Sequence, residues 1–176
     1  LHHTSLVKAS THSPALLRIV DIKITRRLVA YVVKFISAAF QHAMDKPPLS
    51  PPELAVFSAF VYNALKRAEV AAPEVLVLLV YIERAKPLLR IVSDDWISEK
   101  IFLGSLIVAT KYLNDDTIYN CDWEVYTEIF KLNEISLIER RFLAALNWDM
   151  RVFEGDIMAH HAAFIAAASP LPPSQH

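Results

Sequence analysis

The sequence has one cysteine and two glycines in 176 residues, and it has no long apolar run. Because a lone cysteine, Cys121, cannot form an internal disulfide, a disulfide-stapled fold is excluded and a nuclear or cytoplasmic location is expected. The longest apolar run, residues 75–82, is much too short to cross a bilayer, so we expect no membrane partner. A chain of this length suits one domain whose hydrophobic core needs no metal.

Excess charge of either sign is also missing. Lysine and arginine total 18 and aspartate and glutamate total 19, which gives a net charge of −1. Since nucleic-acid affinity rests on clustered positive charge, we expect no nucleic-acid partner. Adjacent helical residues such as His160 and His161 diverge by about 100°, so they do not chelate one metal. A phosphate-binding loop, a nucleophile elbow and a kinase signature are absent, so the sequence predicts no cofactor and no catalytic residue.

Apolar residues are abundant, at 54% of the chain, and their spacing is helical. No segment alternates apolar and polar residues as a strand does, so the sequence predicts an all-α fold. Helical spacing over residues 14–42 includes Thr25 as a helix cap, and Ser50 to Glu53 form a capping box after a proline-rich linker. Further helices are predicted at residues 54–70, 73–86, 96–113, 122–131, 134–147 and 154–168, with caps for the helix at 96 expected from Ser93, Asp94 and Asp95.

These signals divide the chain into five segments. We predict a flexible tail over residues 1–13, an N-terminal helical extension over 14–45 and a central helical domain over 46–150. A C-terminal helix over 151–168 and a tail over 169–176 complete the chain. An apolar surplus of this size often forms a partner interface, so a protein partner is expected.

The predicted helix 96–113 is apolar or small at every helical bearing between Ile101 and Ala109. A helix that is apolar all round is surrounded by other helices, and Gly104 and Ser105 let neighbouring backbones come close. The sequence therefore predicts a buried central helix wrapped by amphipathic helices.

Two charged residues lie on these helices and each has a structural interpretation. Lys111 falls in the last turn of the central helix, where a cation suits the helix dipole and its stem can reach water. Glu139 completes a capping box with Ser136, although Asn133 is an equally good cap that would put Glu139 inside the helix. Spacing alone leaves both residues between a structural and a functional role.

Two motifs resemble a known family. Residues 101–115, IFLGSLIVATKYLND, resemble the central helix of the cyclin box, and residues 136–150, SLIERRFLAALNWDM, resemble its fifth helix. The resemblance covers residues 20–150 and is nearest to the fungal single-box cyclins of the Pcl and phosphate-signalling class. It implies a single five-helix cyclin box around a buried central helix, with flanking N- and C-terminal helices. Because few residues follow Met150, we expect no second box.

The family resemblance also implies a function. It implies a non-catalytic subunit that binds a cyclin-dependent Ser/Thr kinase of the Pho/Pcl-associated type and activates it by positioning its αC helix. The implied process is cell-cycle or phosphate signalling, and kinase inhibitors or substrate proteins are further partners. The kinase-binding residues carried over are Lys111, Glu139, Tyr112, Leu143 and Trp148. The patch by which mitotic cyclins recruit substrates has no counterpart in residues 54–70.

Two other functions compete with kinase activation. A cyclin-fold adaptor in transcription would contact DNA or polymerase, and the near-neutral charge counts against it. An unrelated helical enzyme is the least favoured, because no nucleophile–base or metal spacing is present.

Overall fold

The computed structural model describes residues 14–116 and 118–169. Over these ranges it contains α-helices, one 3-10 turn and no strand, so the all-α prediction is confirmed. The elements are α1 (Pro14–Leu17), the 3-10 turn (Ile19–Asp21), α2 (Arg26–Met44), α3 (Pro51–Arg67), α4 (Ala72–Ala85), α5 (Leu89–Val92), α6 (Ser98–Leu113), α7 (Asn120–Thr127), α8 (Leu132–Ala145) and α9 (Glu154–Ala168). The predicted tails lie outside the described residues except for Ser169, and the segment boundaries stay predictions.

Local signals set the start of the first two long helices. The Thr25 hydroxyl accepts the backbone N–H of Leu28 at 3.2 Å, so α2 begins where its cap was predicted. The helical spacing over residues 14–42 is not one helix, however, because the chain is extended at Ile22 after the 3-10 turn. At α3 the predicted capping box forms, with the Glu53 carboxylate accepting the backbone N–H of Ser50 at 2.7 Å.

The predicted caps of the central helix are wrong. The N-cap of α6 is Ile97, and no side chain caps it. Asp95 instead accepts from Lys100 at 2.8 Å and from Arg141 of α8 at 3.3 Å. These two cations, Lys100 first, hold the pKa of the Asp95 carboxyl below its ordinary value. A carboxylate two residues before the N-cap does not reach the first-turn amides, so Asp95 does not cap α6. Its ion pairs instead link the segment before α6 to α8.

Helices α7 and α8 both begin and end earlier than predicted. The chain leaves α7 at Glu128, whose φ of 62° is left-handed, so the helix predicted to reach residue 131 stops at Thr127. Helix α8 then begins at Leu132, because Glu124 of α7 accepts the backbone N–H of Leu132 at 3.0 Å. Lys131 and this N–H hold the pKa of Glu124 below its ordinary value. A side chain from the preceding helix thus supplies the cap of α8.

Helix α6 is the centre of the molecule. Every residue from Ile101 to Thr110 is buried, as the sequence predicted, and α6 packs most extensively against α8 and α4 and also against α2 and α3. Two of its three buried hydroxyls need no outside partner, because Ser105 and Thr110 donate to carbonyls one turn back, on Phe102 and Ile107. Because the surrounding helices pack on this buried segment, their positions relative to the exposed last turn of α6 are fixed.

Helices α2 and α9 cover one side of this arrangement. Phe164 of α9 is fully buried, and the ring of His160 meets Phe35 of α2 edge-on, with centroids 5.5 Å apart. Arg27 of α2 donates to the carbonyl of Ser169 at 2.7 Å, which fixes the end of α9. The end of α6 stays exposed at Tyr112 and Leu113, and α8 is exposed at Leu137.

Candidate functional site

The site begins with a close approach of α6 to α8. A Cβ atom built on Gly104 would lie 2.8 Å from the Cβ of Phe142 and 3.2 Å from Cγ2 of Ile138. The 2.8 Å distance is shorter than Cβ contacts in real proteins, so glycine is needed for the observed helix separation. As a result, the last turn of α6 lies beside the middle of α8, and their polar side chains meet at the surface.

Three side chains form a polar triad, which we define as Lys111 of α6, Asn120 of α7 and Glu139 of α8. The Lys111 ammonium lies 2.6 Å from Glu139 Oε1 and donates to Asn120 Oδ1 at 3.0 Å. Asn120 Nδ2 donates to Glu139 Oε2 at 2.7 Å and to Ser136 Oγ at 3.3 Å. The side chains of Lys111 and Glu139 are only 30% and 16% exposed, so this is a half-buried network rather than a surface ion pair.

The triad decides between the structural interpretations of its charged members. Because α8 begins at Leu132, Glu139 lies two turns inside the helix and caps nothing, so the capping box with Ser136 is wrong. Asn133 is not the cap either, since Lys131 holds that position. Lys111 does lie in the last turn of α6, yet its ammonium is held by Glu139 and Asn120 rather than pointing freely into water.

The triad still has unused hydrogen-bonding capacity. An ammonium has three donors, and the contacts of Lys111 use two of them. Each oxygen of Glu139 has one donor and can accept a second. The triad can therefore offer a donor and an acceptor side by side, which matches a partner segment with an unpaired backbone carbonyl and amide.

Apolar side chains surround the triad on one side. A surface depression of about 330 Å³ is lined by Val108, Lys111, Tyr112, Glu139, Leu143, Trp148 and Met150. All five site residues named from the sequence line it. Tyr112 is 45% exposed and Trp148 is 61% exposed, a large apolar area for two aromatic residues in water. The depression thus combines a polar anchor with apolar walls, which is the composition of a protein-binding hot spot.

The chain after α8 holds Trp148 over the depression. Asn147 and Trp148 both have left-handed backbones, with φ of 52° and 59°. The following carbonyls are fixed from α4, where Arg84 donates to Asp149 and to Arg151, each at 2.8 Å, and Tyr81 donates to Met150 at 2.8 Å. Exposed Trp148 therefore projects from a segment that is anchored immediately behind it.

Charged groups around this exit segment are paired. The Arg151 guanidinium beside Asp149 lowers the pKa of that carboxyl to about 2, so it stays ionised at any physiological pH. Burial of Tyr81 raises the pKa of its hydroxyl, which stays a neutral donor. Its ring meets Tyr112 edge-on, with centroids 6.3 Å apart. The exit segment and the wall of the depression are thus one packed unit.

Two residues of this arrangement were missed by sequence reasoning. Asn120 lies 9 residues after Lys111 and 19 before Glu139, so no helical spacing connects them. Arg84 lies 65 residues before Asp149. The only sequence signal for Asn120 was its position shortly before Trp123, the buried aromatic residue of α7. A polar residue at that position indicates a helix cap at least as well as a role in a site.

Other kinds of site find little support in the described part of the chain. Across residues 14–116 and 118–169 no group of three histidine, cysteine or acidic side chains could hold a metal ion. Within the same ranges, no helix is both long and apolar enough to cross a membrane.

Fold and site together define a helical module with an exposed depression that combines a polar triad with apolar walls, and comparison with known proteins gives its family. The family model described as Cyclin, N-terminal domain, matches residues 34–151, well over half of the chain. The chain therefore belongs to the cyclin family. The cyclin-box fold inferred from the two sequence motifs is confirmed, and cyclins are regulatory subunits.

Curated relatives give the class within the family. In Saccharomyces cerevisiae, PHO85 cyclin-9 is 32% identical over 118 residues, which are 65% of this chain and 38% of that protein. PHO85 cyclin-1 is 33% identical over 120 residues, 64% of this chain and 43% of that protein. PHO85 cyclin-2 is 26% identical over 136 residues, 76% and 42% of the two chains. The resemblance to fungal Pcl-type cyclins is confirmed.

The matched regions span about two fifths of the length of these relatives. No solved structure gives a significant match to the chain.

Proposed function

We propose that this chain binds and activates a cyclin-dependent Ser/Thr protein kinase of the PHO85 type, and that the kinase docks on the depression containing the polar triad. The observation that carries the proposal is the convergence of Lys111, Glu139, Tyr112, Leu143 and Trp148 on one exposed depression. These residues come from α6, α8 and the exit of α8, and the fold leaves that face uncovered.

The two parts of the depression have different tasks in this proposal. Burial of Tyr112, Leu143 and Trp148 against the kinase supplies association free energy, at roughly 25 cal/mol per Å² of apolar surface. The triad fixes orientation, because a misplaced kinase would bury Lys111 and Glu139 without partners. A correctly placed segment of kinase backbone donates to Glu139 and accepts from Lys111.

Activation follows from which kinase conformation fits. A protein kinase needs its β3 lysine paired with a glutamate of the αC helix, and this pairing requires αC to be inward. A depression that accepts αC only in the inward position shifts the population toward the active kinase. The chain contributes no catalytic group to phosphoryl transfer in this mechanism.

The cellular role that we propose follows the relatives. We propose a role in cell-cycle or nutrient signalling, including phosphate signalling, in the nucleus and/or the cytoplasm. Kinase inhibitors and substrate proteins are proposed as further partners of the complex.

The proposal is tested with the purified chain and recombinant PHO85 kinase of Saccharomyces cerevisiae. Calorimetric titration should give a one-to-one complex, and the complex should phosphorylate a peptide substrate faster than the kinase alone. Lys111→Ala and Glu139→Ala should each weaken binding by tenfold or more, since each leaves a buried charge without its partner.

Matched controls separate docking from general damage. Lys34→Ala removes an exposed cation from α2, and Ile91→Ser removes an apolar side chain that is 78% exposed on α5. Both controls should bind like the wild type. The proposal is wrong if the wild-type chain neither binds nor activates the kinase, or if folded Lys111→Ala and Glu139→Ala variants activate normally.

A further inference from the structure

We propose that Asn120 is a positioning residue of the kinase-docking site, which holds Lys111 and Glu139 in the one arrangement that offers a donor and an acceptor to the kinase backbone. This inference rests on the proposed function. It adds a residue from α7 to a site otherwise formed by α6, α8 and the exit of α8.

Asn120 contacts both charged members of the triad with different atoms. Its Oδ1 accepts from Lys111 at 3.0 Å, and its Nδ2 donates to Glu139 Oε2 at 2.7 Å. Lys111 meanwhile bonds the other oxygen, Glu139 Oε1, at 2.6 Å. Asn120 therefore closes a ring of three hydrogen bonds in which every donor faces an acceptor.

The chemistry of a side-chain amide suits this position. A side-chain amide carries a donor and an acceptor on one planar group, so it can bond a cation and an anion together. An aspartate would keep the bond to Lys111 but would set a carboxylate against Glu139. A serine is too short to span two groups that are bonded by the two ends of the amide.

The side chain of Asn120 is not needed to start its own helix. The N-cap of α7 is Tyr119, whose backbone N–H is taken by Asp122 at 2.9 Å. The hydrogen bonds of the Asn120 side chain run to α6 and α8. The side chain therefore acts through the docking pair and Ser136 and not on the start of α7.

Helix α7 gives Asn120 a fixed base. Trp123, three residues on, is fully buried, and Thr127 donates to the Trp123 carbonyl at 2.8 Å. At the far end of α7, Arg67 of α3 pairs with Glu128 at 2.7 Å. Because α7 is held by buried Trp123 one turn from Asn120 and by Glu128 at its far end, Asn120 can restrain the flexible four-carbon stem of Lys111, whose ordering would otherwise reduce the binding free energy.

A double-mutant cycle tests the proposal with the same PHO85 kinase. Asn120→Ala should weaken kinase binding about tenfold in the wild-type chain, the usual effect of losing hydrogen bonds to charged groups. In a Glu139→Ala background the same change should alter the affinity less than twofold, because the pair it positions no longer exists. A purely structural role would instead lower the affinity equally in both backgrounds.

Asn120→Asp is the second variant, and we expect it to remain folded. An acidic residue in the first turn suits the helix dipole, which offsets part of the repulsion between the new carboxylate and Glu139, so this variant should stay folded and melt close to the wild-type temperature. It should nevertheless bind the kinase at least tenfold more weakly, because the donor to Glu139 has become an acceptor. Normal kinase affinity in this variant would overturn the proposal.

Asn114→Ala is the matched structural control. Asn114 also donates its amide to a carboxylate, that of Glu74 at 3.2 Å, but it contacts neither Lys111 nor Glu139. The Asn114→Ala variant should be less stable than the wild type. Its effect on kinase affinity should be the same with Glu139 present or replaced by alanine. If the wild-type chain fails to bind kinase at all, the proposed function fails; if Lys111→Ala weakens binding while Asn120→Ala does not, the role of Asn120 alone is wrong.

Discussion

The backbone N–H of Trp148 donates to the carbonyl oxygen of Leu143 at 2.9 Å, and this bond ends α8 in a left-handed turn. The N–H of Asn147 closes the same turn on Ala144 at 2.9 Å. Two successive non-glycine residues with positive φ are costly, at about 1 kcal/mol or more each. The second of them is a tryptophan that is 61% exposed, so its side chain gains little from the fold.

This geometry predicts that Trp148 serves binding at no benefit to stability. Trp148→Gly removes the left-handed strain and adds the conformational entropy of glycine to the unfolded state, two effects that nearly cancel. We expect the free energy of unfolding in urea to change by less than about 0.5 kcal/mol. Affinity for the kinase should fall at least tenfold, since exposed aromatic residues are typical binding hot spots.

Asn147→Gly is the matched control for this change. Asn147 shares the left-handed turn and is exposed, but it does not line the depression. Its variant should be as stable as the wild type or slightly more stable, with kinase affinity unchanged. A Trp148→Gly variant that unfolds easily would show that the indole ring packs as a structural element.

Arg84 should support the docking site from behind. Its guanidinium donates to the carbonyls of Asp149 and Arg151 and pairs with Asp156 of α9 at 3.2 Å. Arg84→Lys keeps the charge but cannot bridge these carbonyls and the carboxylate with one planar group. We expect a loss of about 1 to 2 kcal/mol in unfolding free energy and a several-fold weaker kinase affinity.

Tyr81→Phe is the variant with which the effect of Arg84→Lys is compared. It removes one hydrogen bond to the same segment, at Met150, and leaves the ring contact with Tyr112 in place. Its effect on kinase affinity should be smaller than that of Arg84→Lys. Equal affinities for Arg84→Lys and the wild type, measured by titration, would show that the exit segment keeps its shape without this anchor.

Gly104 should be required for the approach of α6 to α8. In Gly104→Ala the new methyl group would collide with Phe142, so the helices must separate around a packed core. Alanine also favours helix by about 1 kcal/mol, which offsets part of an overpacking cost of about 1 to 3 kcal/mol. We expect a net loss of up to about 2 kcal/mol in urea unfolding.

Gly155→Ala provides an internal reference for that loss. Gly155 lies in the first turn of α9, and a Cβ there would meet nothing within 4 Å. Its alanine variant should be more stable than the wild type by up to about 0.5 kcal/mol. If Gly104→Ala is also stabilised, the close approach of the two helices does not depend on glycine.

Features of the fold that depend on a few neighbouring residues were predictable from sequence. Thr25 and Glu53 act on amides three residues away, so their caps are visible in the sequence and present in the structure. The burial of α6 was visible because its apolar residues occupy every helical bearing. The proximity of Lys111 to Glu139 followed only from the family resemblance.

Features that depend on distant partners were not predictable. Asp95 had the place of a cap, but Arg141, 46 residues on, competes for its carboxylate. Glu139 had the place of a capping-box residue, but Glu124 of the preceding helix starts α8 earlier. The contacts of Asn120 form only when α6, α7 and α8 are packed together. Local patterns therefore predict the helices better than they predict the site.

The packing of α9 on α2 should depend on pH through His160. Burial against Phe35 lowers the pKa of the His160 imidazole, although the nearby carboxylates of Glu83 and Asp156 partly oppose this. The unfolded chain titrates at its ordinary value near 6.5, so below that pH it binds more protons than the folded chain. Stability therefore falls as pH drops below 6.5, until His160 is protonated in the folded state too.

His160→Gln isolates this effect, because glutamine does not titrate. Melting temperatures measured from pH 7.5 down to pH 5.5 should fall more steeply for the wild type than for the variant. Phe35→Ala should also reduce the slope, since it returns the imidazole to water and brings its folded pKa nearer the unfolded one. Parallel melting curves for the wild type and His160→Gln would mean that the imidazole titrates alike in both states, and that α9 does not respond to pH through this residue.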